Sequence, residues 1–189
     1  MYGERDASIT TRKSMRQVAA MSDCNHAPSD EMHVSDCGLD GFEIGLLAVL
    51  RNFCTSFCSP QSQAWMNAYG LATQRWGISD GPKAAQSLLA VAEAMRRSRP
   101  TMFVFSNPTC LVCRERITAN ERQFMQVIHA ARRGNLGVAR TAAMMLCEGG
   151  DTQAFVLAAI AMAGLFPATD APGALTGAML AYMPRASVH

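Results

Sequence analysis

The sequence predicts an all-α protein, a single-domain bundle of about six helices with one short extended Cys-x-x-Cys knuckle between the third and fourth. Three observations carry that reading. Apolar residues recur at three- and four-residue steps through most of 41–166. Ala and Met are abundant while aromatics make up only 7%, a composition suited to helices packed closely through small and adaptable side chains. The β-like runs reduce to one, at 102–105. With 189 residues, 49% of them hydrophobic and 17% charged, the chain can bury one core and has little room for a second. The expected division is a flexible tail over 1–38, a helical core domain over 39–166, and a C-terminal loop with a short helix over 167–189.

Within the tail, a helix is expected over 11–21. The first core helix spans 41–57, with Phe42, Leu46, Val49, Leu50, Phe53 and Phe57 on one face. Ser59 and Pro60 then stand in N-cap and N1 order. They open a second helix in which Ala64, Trp65, Ala68, Leu71, Ala72 and Trp76 share a side, and Gly77 stops it. Asp80-Gly-Pro82 starts the third, whose Leu88, Leu89, Ala92 and Met95 face inward. Arg96, Arg97 and Arg99 complement its C-terminal dipole, and Pro100 closes it.

Thr118-Ala-Asn-Glu121 has the spacing of a capping box and begins the fourth helix, which turns Phe124, Val127, Ile128 and Ala131 to the core until Gly134. A fifth follows over 136–147. Gly149-Gly150 punctuates, and Asp151 caps a sixth that reaches Gly164. A last short helix is expected over 174–183. The longest apolar run, 154–166, falls short of the roughly 20 residues of a membrane span. With no apolar leader after the opening residues, the expectation is a cytoplasmic protein that does not enter the membrane.

Seven cysteines in a reducing compartment read as thiols or metal ligands rather than as a disulfide framework. Cys110-x2-Cys113 lies in a proline turn, a loop geometry in which two thiolates can share an ion. Cys54-x3-Cys58 sits one helical turn apart on one face. The expected metal site is therefore a closed four-thiolate set of Cys54, Cys58, Cys110 and Cys113 holding structural zinc, with an iron–sulfur cluster or no metal as alternatives. Cys24, His26, His33 and Cys37 form a second paper arrangement of two Cys and two His, and Cys147 reads as a packing residue.

The run Phe103-Val-Phe-Ser-Asn-Pro-Thr-Cys-Leu-Val-Cys locally resembles the strand, turn and Cys-x-x-Cys opening of glutaredoxin-like proteins. The resemblance implies a nucleophilic thiol at Cys110 resolved by Cys113. It covers only this short run, and helical periodicity rather than further strands follows it.

Charge is distributed unevenly. The span 96–140 holds nine arginines against Glu115 and Glu121 alone, so a nucleic-acid-associated regulator is a second reading, with Arg114, Arg116, Arg122, Arg132 and Arg133 as phosphate contacts. Helix six is too apolar to read bases. His129, beside the inward face of helix four, reads as a satisfied structural histidine. Met144, Met145, Met162 and Met179 could serve a helical partner or a homodimer if exposed. With no grouping of nucleophile, base and orienting residue, catalysis is not expected. The function expected from the sequence is a zinc-binding helical regulatory or adaptor protein, with the nucleic-acid regulator and a thiol redox or iron–sulfur sensor as alternatives.

Overall fold

A computed structural model of the chain describes residues 19–22, 24 and 32–170. Among them run five α-helices: α1 (Gly41–Cys58), α2 (Ala64–Ser98), α3 (Ala119–Arg132), α4 (Leu136–Leu146) and α5 (Gln153–Leu165). Four short strands accompany them: β1 (Ala19–Met21), β2 (Met32–His33), β3 (Phe103–Phe105) and β4 (Arg116–Ile117). The chain is mostly helical, in agreement with the all-α reading. The helix expected over 174–183 lies outside the described residues.

Asp40 starts α1 with a capping box, its carboxylate accepting from Glu43 N while Glu43 returns the bond to the Asp40 backbone. The apolar side then buries Leu46, Leu47, Val49, Leu50, Phe53 and Cys54. Pro60 opens a short 3-10 turn, Pro60–Ser62, and the longer helix begins only at Ala64, after Gln63 at a positive φ of 50°.

Gly77 does not end α2 in a loop but breaks it with a single residue at φ 80°, ψ 175°, a conformation open to glycine. The chain then doubles back on itself. A Cβ at Gly81 would lie 2.5 Å from the Thr73 Cα, and the Tyr69 hydroxyl donates to Gln86 Oε1 at 2.6 Å. Ala68, Ala72, Gly81 and Ala85, all buried, let the two arms approach this closely, which is what the abundant alanine provides.

Thr118 caps α3 through the expected capping box with Glu121. The helix runs antiparallel to α1: Glu121 at its start meets Arg51 midway along α1, and Arg132 at its end meets Glu43 at the start of α1. Asn135, rather than glycine alone, opens α4 by accepting from Val138 N. Asp151 accepts from Gln153 N at 2.9 Å, while Thr152 occupies the N-cap of α5. Helix α5 buries Phe155, Val156, Ala159, Ile160, Met162 and Ala163, and Phe155 stacks on Phe124 at 5.6 Å. It is therefore core. Met144 and Met145 on α4 are exposed, Met162 is buried, and Met179 lies outside the described residues.

The region expected as a tail contributes two strands. Ala19, Ala20 and Met21 pair in parallel with Phe103, Val104 and Phe105, and Ser22 N continues the ladder to Phe105 O at 2.8 Å. A strand thus replaces the last part of the helix expected over 11–21, whose remainder is outside the described residues. The cause is tertiary: Ala19 is buried against the core and its neighbours gain backbone partners from β3. Strand β2 pairs antiparallel with β4. Among the described residues no helix is long and apolar enough to cross a membrane.

Candidate metal centre

The knuckle begins where β3 ends. Asn107 Oδ1 accepts from Thr109 N at 2.9 Å and from the Thr109 hydroxyl at 2.8 Å, an Asx turn that carries the chain around Pro108. Arg114 N bonds back to Cys110 O, and Cys113–Glu115 forms a 3-10 turn that leads into β4. The free end of the Asn107 amide donates to the Cys24 sulfur at 3.2 Å. Because β1 lies beside β3, Cys24 leaves its strand alongside this turn.

The result is a cluster of three thiols. The sulfurs of Cys24, Cys110 and Cys113 all lie within 4.8 Å of one another, with 3.8 Å between Cys24 and Cys113. Cys24 is exposed, Cys110 half-buried and Cys113 buried. The Cys113 backbone N–H points to Cys110 Sγ at 3.5 Å, and this bond, with further ones from Cys113, holds the Cys110 thiol below its usual pKa. Desolvation, followed by the proximity of Cys110 and Cys24, pushes Cys113 up to about 12. Three sulfurs gathered this closely are a donor set that a thiolate-binding cation could bridge.

The spacing suits an ion. Two sulfurs each bonded at ~2.3 Å to one tetrahedral centre stand about 3.8 Å apart, which is the separation of Cys24 and Cys113. Such an ion would be held by the three thiolates, with Asn107 orienting Cys24 from outside the ligand set.

A buried ion pair fixes the knuckle to the helices. Arg51 Nε donates to Glu121 Oε1 at 2.7 Å, while its Nη1 and Nη2 donate to Arg114 O and Arg116 O at 2.7 and 2.5 Å. Glu121 in turn accepts from Ser106 N and Thr118 N. The guanidinium therefore holds the exit of the turn that presents Cys110 and Cys113, and its partner Glu121 holds the entry at Ser106.

Cys54 and Cys58 do not join the cluster, so the expected four-thiolate set is not what the fold assembles. Cys54 faces the core of α1 at 1% exposure, and burial raises its pKa well above the ordinary thiol value. Cys58 donates its thiol to Ala19 O at 2.9 Å, supporting β1. Cys110 and Cys113 keep their place, and the partner brought to them is Cys24. The paper site of Cys24, His26, His33 and Cys37 is divided: Cys37 Sγ points to His33 O and Met32 Sδ, Cys24 is in the cluster, and His26 lies outside the described residues. Cys147 is buried in the core, as a packing residue would be.

The five arginines expected to meet phosphate part company. Arg132 is buried and donates to Asp40, Glu43 and Phe166 O, with its guanidinium over the Phe42 ring. Arg133 pairs with Glu43, Asp40 and Asp170. Arg132 is an internal cation and Arg133 a half-buried one, and both are engaged in neutralising the buried Glu43 rather than standing open as the phosphate-contact reading expects. Arg116 is half-buried in β4, and Arg114 and Arg122 remain exposed. His129 Nδ1 lies 2.9 Å from Glu43 Oε2, a satisfied structural histidine.

The residues that the sequence reading missed are Cys24 as a cluster member, Asn107 as its hydrogen-bond donor and Arg51 as the anchor. The Asn-Pro-Thr turn signal before Cys110 pointed to Asn107, whereas Cys24 stood out only in the arrangement with His26, His33 and Cys37, and no local pattern marks Arg51. Among the described residues strand β3 pairs with β1 in a two-stranded sheet, unlike the larger sheet that a glutaredoxin-like resemblance implies. Comparison with protein-family models, with curated proteins and with solved structures finds no match.

Proposed function

We propose that this protein is a zinc-binding helical regulatory or adaptor protein, in which Cys24, Cys110 and Cys113 hold the ion. The observation that carries the reading is the convergence of three thiols, from two distant parts of the chain, at a spacing that one tetrahedral ion would span. Zinc supplies a thiolate-philic centre with no redox chemistry of its own, and it would tie the N-terminal strand to the knuckle. The adaptor role draws support from α4, where Val138, Met144 and Met145 are exposed for a helical partner or a second copy.

Metal analysis of purified full-length protein tests it. One equivalent of zinc is expected in wild type and none in Cys113→Ser. Cobalt substitution should give thiolate charge-transfer absorption that weakens in Cys24→Ser, and Cys54→Ala should leave both readouts unchanged. A folded wild-type protein that takes up neither zinc nor cobalt under reducing conditions would sink the reading.

A further inference from the structure

The same three sulfurs carry a second chemistry, and the inference drawn from it deepens the metal-site reading. Cys24 is the exposed member of the cluster, Cys113 is the buried one, and their sulfurs are 3.8 Å apart. A disulfide has its sulfurs ~2.05 Å apart, so joining these two asks for a closure of under about 2 Å across a turn and a strand end. Asn107 Nδ2 donates to the Cys24 sulfur at 3.2 Å and so holds it beside the turn.

We infer that Cys24 and Cys113 form a hydroperoxide-driven disulfide, and that this modification competes with the metal for the same sulfurs. The Cys24 thiolate attacks the distal oxygen of a hydroperoxide. The O–O bond breaks, the departing oxygen leaves as alcohol or water with a proton, and Cys24 becomes a sulfenic acid. The Cys113 sulfur then attacks the Cys24 sulfur, forming the S–S bond and expelling water. Two thiols lose two electrons and two protons, and one peroxide is reduced. Two of the three ligands are consumed, so a bound ion would be released.

The bond formed is not the local one that Cys-x-x-Cys spacing suggests. Cys24 and Cys113 are 89 residues apart in the chain, so the product locks the N-terminal strand to the knuckle in a covalent loop. Cys110, half-buried beside them, is the competitor for Cys113 and keeps its thiol when the long-range bond forms.

The test treats full-length protein, apo and zinc-loaded, with stoichiometric hydrogen peroxide. Remaining thiols are blocked with iodoacetamide, linked peptides are mapped by fragmentation under non-reducing conditions, and zinc release is followed with a chromophoric chelator. The expected product is a Cys24–Cys113 link in both samples, formed more slowly with zinc and accompanied there by zinc release. Cys110→Ser should retain the link, and Cys24→Ser should lose it. Cys110–Cys113 as the sole linkage, or Cys24 driven to sulfinic acid with no link, overturns the inference even if zinc binds. A protein that binds no zinc yet forms the Cys24–Cys113 link overturns the metal reading and leaves this one standing.

Discussion

Arg51 and Glu121 face each other at 2.7 Å with both side chains almost wholly out of solvent, and that one pair determines where the knuckle sits. The arginine reaches the carbonyls of Arg114 and Arg116, and the glutamate reaches the N–H groups of Ser106 and Thr118. Removing one partner leaves a buried charge and several backbone groups unanswered.

Arg51→Met is accordingly expected to destabilise the fold by about 3–5 kcal/mol, the cost of an uncompensated buried charge. Urea denaturation followed by circular dichroism measures it. The double variant Arg51→Met/Glu121→Leu should recover only part of the loss, because the carbonyls of Arg114 and Arg116 stay unsatisfied. Full recovery would show that the backbone bonds contribute little.

Acid stability should depend on Glu43 and Asp40. Burial pushes the Glu43 carboxyl up, but hydrogen bonds from His129, the Asp40 N–H and Arg133 more than reverse this and leave it below its ordinary value of 4.5. Asp40 behaves likewise against 3.8, held down by the Glu43 N–H and Arg132. Carboxylates depressed in the folded state contribute stability that is complete above their unfolded values and is lost as pH falls through the folded ones. Unfolding midpoints should therefore drop below about pH 4.5, and Glu43→Gln should flatten that limb while lowering stability at neutral pH.

Metal uptake should strengthen as pH rises. Cys113, with its thiol pushed up to about 12, must give up its proton on binding, so each ion taken up releases protons. Zinc titrations in two buffers of different ionisation enthalpy count them. Asn107→Ala, which removes the donor to Cys24, should weaken affinity by roughly 10–100-fold, the usual cost of losing a group that orients a ligand. An unchanged affinity would mean that Asn107 serves the turn alone.

The doubled-back helix makes its own prediction. Gly81→Ala places a methyl 2.5 Å from the Thr73 Cα, so the arms of α2 must separate, at about 1–3 kcal/mol. Gly164→Ala, with open space around its Cβ position, serves as the control and should be neutral or slightly stabilising in thermal melts.

Much of the helical core was legible because burial imposes a period: the inward sets around Leu46, Leu88 and Phe124 stand in the sequence as they stand in the fold. The Thr118 capping box was equally legible, since its signal is local. Cys24 was not, because Ala19–Met21 becomes a strand only through a partner far along the chain, and no short-range preference records it. The arginines misled for a related reason. A run of cations in sequence does not tell which of them turns inward, and Arg132 and Arg133 turn toward a glutamate from another helix. The half-turn at Gly77 showed in sequence as a stop signal, but the closeness of the two arms was written in the alanines and Gly81 rather than in the glycine that breaks the helix.

The parallel pairing of β1 with β3 has a consequence for biosynthesis. Cys24 emerges from the ribosome long before the segment that supplies its neighbours, and the three sulfurs can gather only once Phe103–Phe105 has been laid beside β1 and Cys110 and Cys113 have followed it. An ion captured there would mark a chain whose two ends of the core have met, and a nascent or truncated chain would be unable to retain it.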